Sequence, residues 1–286
     1  MNAGQRQPTA NLRRIVTKLA IASLALITTA PFSPAWSVEP SAAKPEPARP
    51  TTPTPGSDAG AEANRLSRKL DELYRAKSSL SRMAMMVKTP NYQRRIEMTS
   101  LSRGMDDTLV RILSPAKERG VATLKRGNEM WNFLPKVQKT IRVPPSMMMG
   151  SWMGSDLTND DLVRASSWER DYTVVWDAER AGERCLRYVP KANAAVTWQR
   201  VVACFAKADD MPTSVEYYDE KGRKARSMLY RDVKSFDGRK LPTTMEIVPH
   251  LDERKGNHTV MTVLDMKWDV LVTDADFSQA ALRRAQ

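Results

Sequence analysis

Beyond residue 80 apolar and polar side chains alternate in short runs, and turn signals separate the runs. A period of two is the mark of strands that bury one face. Strands are predicted over 82–88, 93–101, 107–113, 119–126, 129–134 and 138–143, then over 169–176, 183–189, 196–206, 213–219, 224–235, 240–248 and 258–272. Ser114-Pro115, Ala181-Gly182, Lys221-Gly222 and Asp237-Gly238 supply turns, and Arg126-Gly127-Asn128 between two apolar runs predicts a hairpin. In the last strand Val260, Thr262, Leu264, Met266, Trp268 and Val270 fall on one face, read as buried. Asp265, Lys267 and Asp269 fall on the other, read as facing solvent. Met130, Trp131, Phe133 and Leu134 are apolar on both faces, which suits a closed core or a cavity wall.

Two stretches depart from this pattern. Over Glu62–Lys77 the residues Leu66, Leu70, Leu73 and Tyr74 recur at helical spacing among charged residues, which predicts an amphipathic helix. Between the two strand series, Pro144–Val163 reads PPSMMMGSWMGSDLTNDDLV. Pro144-Pro145 suits the first turn of a short helix carrying Met147, Met148 and Met149. Thr158 with Asp161 three residues on resembles a capping box before Leu162-Val163. A terminal helix is predicted over Phe277–Arg284. The chain therefore reads as mainly β (α+β): a strongly curved antiparallel sheet or an open barrel, with an N-terminal amphipathic helix and a central helical insertion placed to cover one mouth.

The N-terminal residues do not belong to this fold. Arg13, Arg14 and Lys18 precede an apolar run from Leu19 to Ala30, and Ala35-Trp36-Ser37 offers small residues for cleavage. That is the pattern of a secretory signal peptide over 1–37, too short to span a membrane. Val16 and Thr17 follow the paired arginines, which favours the general over the twin-arginine secretion route. Residues 38–60 are rich in Pro, Ala and Thr and predict a disordered linker. The folded domain is predicted over 61–286, outside the cytoplasm.

Charge adds little to this picture. The signal carries four basic residues and no acid, so the formal +12 of the chain becomes +8 from Val38 onward. Basic residues are scattered along the strands, which suits solubility or anionic lipid surfaces and gives no nucleic-acid motif. Cys185 and Cys204 stand equidistant from the Ala194–Ala195 turn, so an antiparallel hairpin centred there would place them opposite each other. A disulfide and two buried free thiols are both compatible with that.

No reaction machinery is legible. HExxH, CxxC, GxSxG and phosphate-loop patterns are all missing, and the histidines are two, His250 and His258. Asp156, Thr158 and Asp160 resemble the start of a calcium loop, but Asp161 and Ser167 occupy the positions that need Gly and Glu. No metal, cofactor or enzymatic activity is expected. The methionines ask for another account: ten of 16 lie between Met83 and Met153. Met fills core gaps and also lines adaptable binding surfaces. Met147, Met148, Met149, Trp152 and Met153 are too many for one short helix to bury on one narrow face. Some must face a second surface, a mobile neighbour or a ligand, and with Trp131, Phe133 and Leu134 they are the candidate site or lid residues.

The block ILSPAKERGVATLKRGNEMWNFLPKVQKTIRVPPSMMMGSWMGSDLTNDDLV, Ile112–Val163, resembles the signature of the outer membrane lipoprotein-sorting protein family, proteins similar in fold to the carriers LolA and LolB. The likeness extends more loosely from Leu70 to the C-terminus, through LYRAKSS and DGRKLPTTMEIVP. It implies a half-open barrel whose apolar interior holds acyl chains, in the periplasm. It implies a carrier that moves lipid or lipoprotein acyl chains toward the outer membrane, between an inner-membrane transporter and an outer-membrane acceptor. A second reading is a periplasmic adaptor of a lipid-exporting transporter, binding protein rather than lipid.

Overall fold

Connectivity explains the order of the sheet. In the computed structural model the strands form one antiparallel sheet in the order β6-β5-β4-β3-β2-β1-β13-β12-β11-β10-β9-β8-β7. The model describes residues 58–164, 168–194 and 196–284. The predicted signal segment and residues 38–57 of the predicted linker lie outside them. The first strand stands in the middle of the sheet. From it the chain meanders outward through β1 (Ser78–Lys88), β2 (Gln93–Arg103), β3 (Asp107–Ser114), β4 (Ala122–Arg126), β5 (Glu129–Leu134) and β6 (Lys139–Arg142). It re-enters at the far edge and returns through β7 (Tyr172–Trp176), β8 (Glu183–Pro190), β9 (Arg200–Ala206), β10 (Pro212–Tyr218), β11 (Lys224–Phe236), β12 (Arg239–Pro249) and β13 (His258–Trp268). β6 and β7 are edges that do not pair, so the sheet stays unclosed. The stretch from β6 to β7 must therefore pass from one edge to the other. It carries a 3-10 turn at Pro145–Met147, a second at Trp152–Gly154, α2 (Asn159–Arg164) and α3 (Trp168–Asp171).

Before the sheet comes α1, Asp58–Glu72, which starts and stops earlier than the predicted 62–77. Its first residues extend the helix into the tail of the predicted linker. Its apolar stripe does what the spacing implies: Ala63 and Leu66 are fully buried against Tyr172, Leu186 and Tyr188 of the β7–β10 half. Polar bonds fix its position, with the Tyr188 hydroxyl donating to Ser67 Oγ at 3.1 Å and Arg65 reaching Asp210 at 2.7 Å. The chain ends in α4, Gln279–Arg283, capped by Ser278, whose hydroxyl accepts from the Ala281 amide at 3.0 Å. α4 covers the outer face of β3–β5. Phe277 and Leu282 pack there on Ala122, Leu124 and Phe133, and Arg111 donates to the Ala281 carbonyl at 2.7 Å.

Strand existence follows the alternation closely, and the departures have local causes. Residues 169–171 form the end of α3 rather than β7, β9 begins at Arg200 rather than 196, and β13 ends at Trp268. The Gly127–Asn128 turn closes the hairpin of β4 and β5, with Arg126 opposite Glu129 and Gly127 at φ +54°, where a Cβ would be strained. The face assignment of β13 needs correction. Arg82 pairs with Asp265 but Met83 pairs with Val263, so Leu264 is an extra residue at a β-bulge. A bulge reverses the phase of everything beyond it. Thr259, Met261 and Val263 therefore share the inner face with Met266, while Val260 and Thr262 face outward and Leu264 is exposed.

Cys185 and Cys204 are opposite each other in the β8–β9 ladder and are joined as a disulfide, with Cα atoms 4.1 Å apart. The bridge lies with Val202 and Tyr218, on the face away from α1.

Candidate functional site

The inner face of the sheet, α1 and the β6–β7 crossing enclose a cavity of about 290 Å³. That is near the lower bound of ~300–1,000 Å³ typical of small-molecule sites. Six methionines line it: Met83, Met98, Met228, Met245, Met261 and Met266. Register brings them together. Met85 pairs with Met261, Met261 with Met245 and Met245 with Tyr230, making one row across β1, β13, β12 and β11. Met83 sits beside Met98 on β2, and Met228 beside Val215 on β10. Thioether chains on opposing strands give a wall that is apolar and adaptable. Trp152, Trp168 and Trp198 add large apolar surface to it.

The predicted site residues divide. Trp152 belongs to the wall: it is buried at 3 % exposure, and its indole N–H donates to Thr123 Oγ1 at 3.2 Å. Met148 and Met153 are half-buried beside it, packed on the cluster of Met85, Ile96 and Met130. Met147 and Met149 point outward at 59 % and 47 % exposure, because Pro145–Met147 is a single 3-10 turn rather than a helix with an inner face. Trp131 and Phe133 are on the opposite side of the sheet. Leu124 pairs with Trp131 and Ala122 with Phe133, and these four form the platform for Phe277 and Leu282. Met130 and Asn132 are the β5 residues that look inward. Leu134 is half-buried at the end of β5 and is not part of the cavity wall.

The acids of the crossing are anchors. Asp161 makes the capping box, with its amide donating to Thr158 Oγ1 at 3.1 Å and its carboxylate accepting from the Thr158 amide at 2.7 Å. It also forms a two-pronged ion pair with Arg226 of β11, one arm at 2.7 Å, a partnership the local sequence does not announce. Arg226 donates further to the Asp156 carbonyl at 3.1 Å and lies over the Tyr217 ring at 4.4 Å. Burial pushes the Asp161 carboxyl up, but the Arg226 charge and the Thr158 bonds outweigh it and hold it below the ordinary value. Burial also pushes the neighbouring Tyr217 hydroxyl up to about 12. Asp156 accepts from the Thr259 hydroxyl at 2.7 Å, and Asp160 accepts from Thr197 at 3.1 Å. The crossing is thus tied to β11, to β13 and to the loop before β9.

Neither histidine faces the cavity wall. His258 bonds Glu246 at 2.8 Å, and His250 bonds Ser227 at 2.9 Å. Ser227 alternates with the inward Arg226 and Met228, so that pair sits on the outer face. Among the described residues no helix is long and apolar enough to cross a membrane.

Known structures share this architecture. A DUF1329 family protein from Desulfovibrio piger is 23 % identical with a TM-score of 0.69, over 79 % of this chain and 100 % of that one. A LolA superfamily protein from Nitrosomonas europaea is 25 % identical with a TM-score of 0.64, over 77 % and 98 %. A putative outer membrane lipoprotein-sorting protein domain from Vibrio parahaemolyticus is 21 % identical with a TM-score of 0.63, over 78 % and 100 %. Among curated proteins none matches the chain. A protein-family model described as that of an uncharacterized protein matches residues 104–284, more than half of the chain. The chain therefore belongs to that family, and its fold is that of the LolA-like, outer membrane lipoprotein-sorting proteins.

Proposed function

We propose that this protein is a periplasmic carrier that takes lipid or lipoprotein acyl chains into its methionine-lined cavity and helps move them toward the outer membrane. One observation supports the reading above others. Six methionines brought together from five strands line one cavity beneath α1 and the β6–β7 crossing. Each methylene transferred from water contributes ~0.8 kcal/mol, so a long chain is captured strongly and must be released by a change in the protein. The β6–β7 crossing and α1 are the movable walls. Trp152 anchors the crossing, and the Arg226–Asp161 pair holds its far end.

The test is native mass spectrometry of protein purified from a periplasm without detergent. A discrete added mass that fragments as a lipid is the expected result. A bare mass that stays bare after incubation with liposomes would overturn carriage. The adaptor reading has its own support: Met147 and Met149 are exposed on the outside of the crossing, an apolar surface suited to a protein. A bare protein that nonetheless copurifies stoichiometrically with an inner-membrane transporter would favour it.

A further inference from the structure

The cavity is graded along its strands. On the inner face β1 reads Ser79, Ser81, Met83, Met85, and its partner β2 reads Ser102, Ser100, Met98, Ile96 in register. One end of the floor is therefore a belt of hydroxyls and the rest is apolar. Ser79 and Ser102 bond each other at 2.7 Å. Thr108, next in the row on β3, lines the cavity with a buried hydroxyl that has no hydrogen-bond partner among the described residues.

Two cations converge on this end. Lys125 stands opposite Thr108 on β4 and is 1 % exposed, and Arg75 enters the cavity wall from the turn after α1. Lys125 donates to the Met105 carbonyl, and Arg75 Nη1 lies 3.5 Å from the same oxygen. Resting on our reading of the cavity as a lipid site, we propose that Arg75, Lys125 and the Thr108 hydroxyl form the head-group end of that site. It would take an amphiphile with a carboxylate or phosphate head, whose tail then lies along the methionines.

The charges around this corner are mixed. Arg170, a third cation near Lys125, is paired with Asp171 at 3.4 Å, while Asp71 and Asp171 lie on the wall and Asp106 is close to both Arg75 and Lys125. Asp107, beside Lys125, is committed to Arg103 at 2.6 Å. Burial first, and then the Arg75 charge, push the Lys125 ammonium down to about 8. An incoming anion opposes both effects. Lys125 loses its charge as pH rises through that value, so recognition of the head should weaken above pH 8.

Dodecanoate and dodecanol share a tail and differ in the head, and quenching of Trp152, Trp168 and Trp198 reports occupancy of the cavity. At pH 7 dodecanoate should bind about tenfold tighter than dodecanol, the scale of one charge-assisted hydrogen bond. The preference should shrink toward parity between pH 7 and pH 9.5, and the Lys125→Met variant should lose it at pH 7. Should that variant not fold, the pH series on the unaltered protein and Arg75→Gln give the same reading. Equal binding of the two amphiphiles by the unaltered protein overturns the head-group site but leaves a carrier of neutral tails. Binding of neither overturns the carrier and this site together. Displacement of dodecanoate by inorganic phosphate at comparable concentration overturns the amphiphile assignment in favour of a free anion.

Discussion

Replacing Arg226 with Met would remove the cation that holds the far end of the β6–β7 crossing. The Arg226 side chain is 6 % exposed and that of Asp161 is 17 % exposed, so the carboxylate left behind would be poorly hydrated. Breaking a buried pair by removing one partner costs about 3–5 kcal/mol. Asp161 keeps the Thr158 amide and hydroxyl at 2.7 and 2.9 Å, which places the expected loss near the lower end, about 3 kcal/mol. In a domain of this size each kcal/mol moves the midpoint by about 2–4 °C, so Tm should fall by about 6–12 °C in a thermal melt at pH 7. The sign with pH is determined. In the unaltered protein the folded carboxyl lies below its ordinary 3.8, so its contribution is present above that value and lost as pH falls through the folded one. In the variant burial dominates and raises the carboxyl, so the variant gains relative stability as pH falls and the acid is protonated. The gap between the two proteins should therefore narrow from pH 7 to pH 4. Among the described residues Arg226 Nε is buried without a hydrogen-bond partner, so the pair already carries a cost. The double substitution Arg226→Met with Asp161→Asn should for that reason recover all but about 1 kcal/mol. A loss under 1 kcal/mol for the single variant, or a gap that does not change with pH, would refute the account of Asp161 as a charge anchored by Arg226.

Three further outcomes follow from the two faces of the sheet and the hairpin. Phe133→Ala should cost about 3–5 kcal/mol in denaturant unfolding, because Phe133 is buried under Phe277, yet leave lipid affinity within about twofold. Met149→Ser, at an exposed position, should change stability by no more than about 0.5 kcal/mol, and a larger loss would show that the outside of the crossing is packed. Cys185→Ser with Cys204→Ser should cost about 3 kcal/mol, as expected for a bridge spanning 19 positions, and reductant should reproduce the loss in the unaltered protein while leaving the double variant unchanged.

The elements were legible and the site was not, and the register explains both. Alternation over short runs finds a strand because the signal is local, and the equidistance of Cys185 and Cys204 from Ala194–Ala195 works because the loop between β8 and β9 leaves the ladder symmetric about that point, with Tyr188 opposite Val201 as Cys185 is opposite Cys204. Density of methionine is a different signal. It points to 83–153, where the residues are close in sequence, whereas the cavity draws Met228, Met245, Met261 and Met266 from the other half of the chain. They meet Met83 and Met98 only because β1 lies beside β13, a pairing of strands more than 150 residues apart. The pattern that could have exposed them was present in weaker form: Met228 with Tyr230, Met245 with Ile247 and Met261 with Val263 each sit two apart, on one face of a strand. Which face turns inward depends on where the sheet curls, and a single extra residue at Leu264 was enough to invert the reading of β13. The same ambiguity put Trp131 and Phe133 into the cavity on paper. A strand apolar on both faces can serve two cores, and here the second core exists because α4 returns to the outer side of β3–β5. Arg226 shows the limit most sharply. It alternates in register with Met228 and Tyr230 and so belongs to the inner face, but nothing nearby in sequence names its partner, since Asp161 lies across the cavity on the crossing. The crossing itself follows from topology. A meander that starts in the centre of an open sheet has to carry the chain from one edge to the other once, and the residues that make the trip become the cover of whatever the sheet encloses.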